Sequence, residues 1–498
     1  MLELLTSAEM GNADRLTIEA GTPGLSLMER AGDAIATEVA ERFPDAVKVS
    51  ILCGPGNNGG DGFVAARLLA GQGYTVRVGL LGDAGKLPAD AAANAKAWEG
   101  TIEPLSADLL DGAEILIDGI FGAGLARPIE GALAELVAAV NASRLPVIAI
   151  DVPSGIDGST GKVRGIAVQA IASVTFFRLK PGHVLLPGRL CCGDVTLAQI
   201  GIDGDVLQTI DPDAFLDEPA LWLDAFPWPQ PDGHKYSRGH LLVVSGREDA
   251  TGAARLAARG GLRIGVGLVT VASPRDALPV NAAQLTAIMV RPADTADELA
   301  ELLADTRKNT VVLGPGLGVG RRTRNLVAAS LASPAAVVID ADGISSFAEV
   351  PETLFGEIKG REAPVVLTPH EGEFARLFPD IAGEKTEPEV SKLERARQAA
   401  SLSGAIVVLK GSDTVIAAPD GRAAVNATSS PWLATAGTGD VLSGMIGGLL
   451  AQHMSGFEAA CAAVWFHGAA AEAFGPGLIS EDVPEMIPKV LRELQQLV

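Results

Sequence analysis

The segment Thr435-Ala436-Gly437-Thr438-Gly439-Asp440 runs straight into the apolar stretch 441–446, which puts a carboxylate at the mouth of a helix whose first amides glycine leaves uncovered. Free N–H groups and the positive end of a helix dipole attract phosphate. A carboxylate in the same place suits another task, removing a proton beside a phosphoryl group. Asp440 is therefore the candidate base of a phosphoryl transfer. The plain alternative is a capped helix after a glycine turn.

A second glycine-rich loop, 54–62, follows one strand and opens a helical run, and it contains Gly-x-Gly-x-x-Gly, the spacing of a dinucleotide fingerprint. A nicotinamide dehydrogenase is thus one reading. Asn57, Asn58 and Asp61 crowd the loop, however, with amide oxygens and a carboxylate suited to a cation or to sugar hydroxyls. Asp118, ahead of Gly119, and Asp151, ahead of Val152-Pro153-Ser154, stand at the carboxyl ends of strands, where open α/β sheets bind ligands. Lys180 precedes Pro181-Gly182 and reads as an exposed lysine before a turn, with substrate phosphates as its other reading.

Further along, the helical stretch 251–258 is rich in small residues that let a ligand approach the backbone, and Gly314-Pro315-Gly316 and Thr368-Pro369-His370 each follow a strand. Lys410-Gly411-Ser412-Asp413-Thr414 ends another strand with a lysine and hydroxyl donors for phosphate oxygens. No Walker A sequence occurs, so nucleotide handling falls to the glycine amides of the 437–440 turn.

These segments sit on a repeated rhythm. Short β-branched runs at 47–53, 75–81, 115–118 and 147–151 alternate with alanine-rich helical stretches, and the pattern resumes at 240–245, 268–272, 310–313, 336–340 and 406–410. That alternation predicts parallel sheets covered by helices. Between about 205 and 232, proline and turn residues interrupt it. The expectation is an α/β chain of two domains, 1–212 and 230–498, with a linker at 213–229. A chain of 498 residues has room for two cores. With 39 basic against 61 acidic residues, a formal charge of −22 and no basic cluster, nucleic acid is excluded as the expected partner. No apolar run reaches membrane-spanning length, and four cysteines without metal-ligand spacing read as thiols of a reducing, cytoplasmic setting.

Gly54 to Gly62, the 118–124 segment and Asp151-Val152-Pro153-Ser154-Gly155 together resemble the NAD(P)H-hydrate epimerases over most of residues 1–212. The resemblance implies a Rossmann-like three-layer sandwich. It also implies that Asn57, Asn58, Gly59, Gly60, Asp61, Gly122, Ala123, Gly124, Leu125, Ala126, Arg127, Pro128 and Asp151 hold the hydrated dinucleotide. Asn58, Asp118 and Ser154 match positions that coordinate potassium, with Asp118 also the acid/base candidate. Residues 230–498 resemble the ribokinase-like ADP/ATP-dependent NAD(P)H-hydrate dehydratases. There Ala253, Gly316, His370 and Asp440 match substrate contacts, and Lys410, Gly411, Ser412, Asp413, Thr414 and Gly439 match the nucleotide site. The whole chain resembles the bifunctional repair enzymes that join the two activities, which implies ADP or ATP with Mg²⁺, NADHX and NADPHX as substrates, and a homo-oligomer. One departure is Ser430-Pro431-Trp432-Leu433, where the family often has Asn-Pro-Gly, so bulky Trp432 is expected to alter the pocket's shape. The rival readings are a ribokinase-like small-molecule kinase, a redox dehydrogenase and a non-enzymatic nucleotide-binding scaffold.

Overall fold

A computed structural model describes residues 1–125, 127–382, 390–428 and 430–496. Two compact units meet in sequence between Ala214 and Phe215.

The front unit is built on seven strands: β1 (Lys48–Cys53), β2 (Thr75–Leu80), β3 (Ile102–Pro104), β4 (Ile115–Gly119), β5 (Val147–Ile150), β6 (Ala172–Phe176) and β7 (Asp194–Ala198). They pair in the order β3-β2-β1-β4-β5-β6-β7, all parallel. Successive residues point to opposite faces. Val49, Ile51 and Cys53 enter one core with the helices Gly24–Arg42 and Asn57–Gly71, whereas Leu52, Leu116 and Val147 enter another with the helix Gly131–Ser143. Both faces are covered, which is why these strands read as continuous apolar runs. β1 has β2 on one side and β4 on the other, so the chain reverses direction beside it and a crevice opens beyond the carboxyl ends of β1 and β4.

The rear unit repeats this logic with ten strands: β8 (Ala214–Leu216), β9 (His240–Val244), β10 (Leu268–Ser273), β11 (Met289–Pro292), β12 (Thr310–Leu313), β13 (Ala336–Ile339), β14 (Val365–Leu367), β15 (Ile406–Leu409), β16 (Val415–Ala417) and β17 (Ala423–Val425). Their order is β11-β10-β9-β12-β13-β14-β15-β16-β17-β8, parallel from β11 to β15 and antiparallel from β15 to β17. The reversal here lies between β9 and β12.

Segment 213–229 is not the free linker expected from its prolines. It begins with β8, and Trp222, 1% exposed, stacks near Phe226 and Phe466 with ring centroids 5.9 and 5.7 Å away. The aromatic side chains outweigh the turn residues and draw the segment into the rear core.

The helix Thr438–Ala451 packs against the helix Gly252–Arg263 through glycine on both sides. A Cβ on Gly444 would lie 1.9 Å from the Ala257 carbonyl oxygen, and one on Gly261 would lie 2.9 Å from that of Gly444. Backbone touches backbone here, a contact only glycine permits. Among the described residues no helix is long and apolar enough to cross a membrane, and all four cysteines are buried free thiols.

Candidate active sites

In the front unit a cavity of about 920 Å³ lies at the crevice. Its wall carries Asn57, Asn58, Asp61, Gly122, Ala123, Gly124, Leu125, Arg127, Pro128 and Asp151, all named from sequence. Ala126 lies outside the described residues. The helix Asn57–Gly71 starts from Gly56 with no side chain capping its first amides, so donors face the cavity mouth. Gly59 and Gly60 do not line the cavity. A Cβ on Gly59 would strike the Gly54 carbonyl oxygen at 2.1 Å, and one on Gly60 the Met28 sulfur at 2.7 Å, so both serve close packing of the loop.

Asp151 is the electrostatic centre of this wall. Its backbone is left-handed, at φ 66°, a costly state outside glycine. The side chain is fixed from three directions: the Ala123 amide donates to Oδ2 at 2.9 Å, the Thr175 hydroxyl to Oδ1 at 2.9 Å, and Lys180 Nζ stands 2.9 Å from Oδ1. Burial opposes its ionisation, but the charges of Lys180 and His183 and these hydrogen bonds hold the carboxyl down at about 2. Lys180 is not the exposed lysine its turn suggested: it is 1% exposed and also donates to Thr175 Oγ1 at 2.8 Å.

Asp118 is fully buried and does not line the cavity. Its oxygens accept from the Ser154 amide at 2.7 Å, the Ser154 hydroxyl at 2.6 Å and the Ile120 amide at 3.3 Å. Burial raises its pKa, and no basic side chain offsets that. The two roles expected of Asp118 therefore part. A sealed carboxylate suits holding an ion, whereas its burial sets it back from a substrate in the cavity. Asn58 Nδ2 is a buried donor with no partner, and Asn58 Oδ1 would lie 3.0 Å from a Cβ on Gly122. Sequence reasoning missed Asp14, on the helix Ser7–Glu19, which also lines the cavity. Its position on an ordinary amphipathic helix gives no motif to find.

In the rear unit a smaller cavity, about 280 Å³, is lined by Lys410, Gly411, Ser412, Thr414 and Gly439 from the expected nucleotide set, and by Leu433, Leu442, Val464 and His467. Asp413 turns away to an ion pair with Lys392 at 2.6 Å, and the Thr414 hydroxyl donates to the Gly411 carbonyl at 2.7 Å, closing the loop on itself. Trp432 is 41% exposed and not part of the wall, so the departure from Asn-Pro-Gly leaves the cavity's shape to Pro431 and Leu433. His467, unflagged in the sequence because it is a lone histidine on an apolar helix, is held by the Thr438 carbonyl at 2.9 Å, and burial drops it to about 4, which leaves it neutral.

The helix carrying Asp440 begins at Gly437, left-handed at φ 92°, again with no side-chain cap. The amides of Thr438 and Gly439 have no side-chain cap, whereas the Asp440 amide donates to the Gly437 carbonyl at 3.1 Å. Asp440 is half-buried and among the described residues makes no hydrogen bond through its carboxyl; burial and the nearby Asp340 charge push it up to about 6, against the pull of Lys410. Lys410 forms a 2.8 Å ion pair with Asp340 and stands 3.5 Å from where a Cβ of Gly439 would be, so its ammonium reaches the opening of the same helix.

Ala253, Gly316, His370 and Asp440 do not line the 280 Å³ cavity. Gly316 lies on the loop after β12, touching the loop after β9: a Cβ on Gly246 would be 2.2 Å from the Gly316 carbonyl. His370 is joined to Lys410 by a one-residue parallel bridge, with the Lys410 amide donating to the Pro369 carbonyl at 2.9 Å. Its Nδ1 accepts from the Gly372 amide at 2.9 Å, which leaves Nε2 as the donor toward Glu373 Oε1 at 3.4 Å. Lys410 is thus the hinge between the nucleotide set and the expected substrate set.

Two family models match the chain: NAD(P)H-hydrate dehydratase over residues 241–487 and YjeF-related protein N-terminus over residues 24–182. A bifunctional NAD(P)H-hydrate repair enzyme of Moorella thermoacetica is 35% identical over 99% of this chain and 97% of its own length. One of Coxiella burnetii is 35% identical over 95% of both chains. The solved ADP/ATP-dependent NAD(P)H-hydrate dehydratase of Bacillus subtilis, crystallised with ATP and Mg²⁺, is 28% identical over 56% of this chain and 98% of that one, with a TM-score of 0.49.

Proposed function

The chain belongs to the bifunctional NAD(P)H-hydrate repair enzymes, and from that premise we propose that its front unit interconverts the R and S epimers of NAD(P)HX while its rear unit dehydrates the S epimer at the expense of ADP or ATP. The substrate is a nicotinamide ring that has gained water across C5 and C6, and hydroxide is a poor leaving group.

Asp440 takes the proton of the C6 hydroxyl as that oxygen attacks the terminal phosphorus of the nucleotide. The uncapped amides of Thr438 and Gly439 and the Lys410 ammonium stabilise the charge that gathers on the transferring phosphoryl group. The C6 phosphate ester then eliminates: the C6–O bond breaks with its electrons on phosphate, C5 loses a proton, and the C5=C6 double bond of NAD(P)H returns. AMP is left from ADP, or ADP from ATP. Mg²⁺, arriving with the nucleotide, offsets phosphate charge. The apolar part of the 280 Å³ wall, Leu433, Leu442 and Val464, suits a purine.

Potassium fits the front unit on the chemistry of its donors. Asn58, Asp118 and Ser154 supply oxygens, and the buried Asp118 carboxylate has hydroxyl and amide partners but no basic side chain to neutralise it. A cation there would hold the loops after β1 and β4 together. The same reading carries a cytoplasmic homo-oligomer with it.

The observation that carries the rear-unit assignment is Asp440, uncapped, half-buried and held near 6 beside Lys410. Mixed NADHX epimers incubated with the protein and ADP, ATP or neither should recover NADH absorbance completely with nucleotide. Asp440→Asn should lose that recovery and keep epimerisation. Accumulation of a stable phosphorylated product would instead favour a small-molecule kinase.

A further inference from the structure

We propose that Asp14 and Asp61 form the acid/base pair that inverts C6 in the front cavity, a deepening of the epimerase reading on which it rests. Both line the 920 Å³ cavity, Asp14 from the helix Ser7–Glu19 and Asp61 from the first turns of the helix Asn57–Gly71. Among the described residues neither carboxylate has a hydrogen bond or ion pair; only burial and neighbouring charge act on them. That separates them from Asp151 and Asp118. Asp151 is committed to Lys180, Thr175 and the Ala123 amide, and Asp118 is sealed beneath the wall.

Asp14 and Asp61 interact with each other and with Asp151, and Lys180 draws on Asp14. Burial and the Asp151 charge push Asp14 up to about 6, and burial with the charges of Asp151 and Asp14 pushes Asp61 well above the ordinary carboxylate range. Both carboxyls are thereby displaced toward the protonated form. The remaining charged groups on the wall are Asp90, Arg127, Glu130, Asp151 and Lys180.

Inversion at C6 needs that arrangement. The protonated member gives its proton to the C6 hydroxyl; the C6–O bond breaks, water leaves with the bonding pair, and the N1 lone pair forms a C6=N1 iminium. Water then adds to the opposite face, its electron pair forms the new C6–O bond, the N1 lone pair is restored, and the released proton goes to the ionised member. One proton has been spent and one recovered, so the pair is ready for either direction.

The test follows conversion of isolated R-NADHX to the S epimer by chromatography without nucleotide, after subtraction of the uncatalysed rate. A wild-type protein that does not accelerate it overturns the epimerase reading itself. With wild type active, Asp14→Asn should lower the rate by about a hundredfold or more. Its melting temperature at neutral pH should match or exceed wild type, because the change relieves charge crowding. Asp14→Glu should recover part of the rate, and the bell-shaped pH profile of wild-type kcat/KM should lose one limb in Asp61→Asn. Wild-type rates in Asp14→Asn, or a lost rate accompanied by a lowered melting temperature and no recovery in Asp14→Glu, would overturn the proposal.

Discussion

Lys410 and Asp340 form an ion pair of 2.8 Å at the ends of neighbouring-but-one strands, β15 and β13, and both charges act on Asp440, one lowering its pKa and the other raising it. Asp340, which the sequence presented only as the end of a strand, thereby tunes the candidate base.

A base works ionised, so kcat/KM for dehydration should rise with pH through about 6 and level off above it, since that ratio reports the free enzyme. Asp340→Asn removes the repulsion and leaves Lys410 free to attract. The acidic limb should shift to lower pH in that variant. A pH–rate series on both proteins checks it, and an unmoved or raised limb counts against the tuning.

Lys180→Met would leave the Asp151 carboxylate without its cation. The folded-state pKa of Asp151, about 2, lies below that of an unfolded aspartate, so the pair's stabilisation is present above roughly pH 4 and is lost as pH falls through 2. Removing one partner of such a buried pair costs about 3–5 kcal/mol. Urea unfolding at pH 7 should show a front-unit transition at lower denaturant, while dehydratase activity persists.

Gly444→Ala sets a modest helix-propensity gain against a Cβ placed 1.9 Å from the Ala257 carbonyl. Overpacking of this kind costs about 1–3 kcal/mol. The variant should unfold earlier on denaturant titration, and kcat for dehydration should fall with it as the Asp440 helix is displaced. An unchanged kcat would mean the helix position is not set at this contact.

Trp432→Ala should leave nucleotide affinity within about 0.5 kcal/mol of wild type, as for surface substitutions generally, because the indole faces solvent outside the cavity wall. Calorimetric titration with ADP measures it directly.

The sheets were legible because buried parallel strands are unbroken apolar runs that end in turn chemistry: β1, β2, β4, β5, β9, β10, β12, β13 and β15 lie where the β-branched runs stand. β6 escaped notice because Ser173 and Thr175 interrupt its run; both are fully buried, their hydroxyls donating to the Cys192 carbonyl and to Asp151. The loops carrying Asn58, Asp118 and Asp440 were visible as glycine-rich strings. Their neighbours were not. Asp14 and Asp340 lie far in sequence from the loops they face, and charge pairing across strands leaves no local pattern; Lys180 was visible before its turn, but its burial against Asp151 was not. Asp118 shows the converse limit: the sequence placed it at the end of a strand, but only packing reveals that it is sealed.

At the seam between the helices Thr438–Ala451 and Gly252–Arg263, a Cβ on Gly260, Gly261, Gly444 or Gly448 would lie within 2.9 Å of a main-chain oxygen of the facing helix. The fit there behaves like meshed gearing, in which rotation of either helix about its own axis is blocked by main-chain carbonyls. The azimuth of Asp440 is consequently inherited from four glycines, Gly260, Gly261, Gly444 and Gly448, none of which needs to meet a ligand. Tolerance to substitution along that seam, surveyed without any assay of binding, would chart how finely the aim of this carboxylate must be kept.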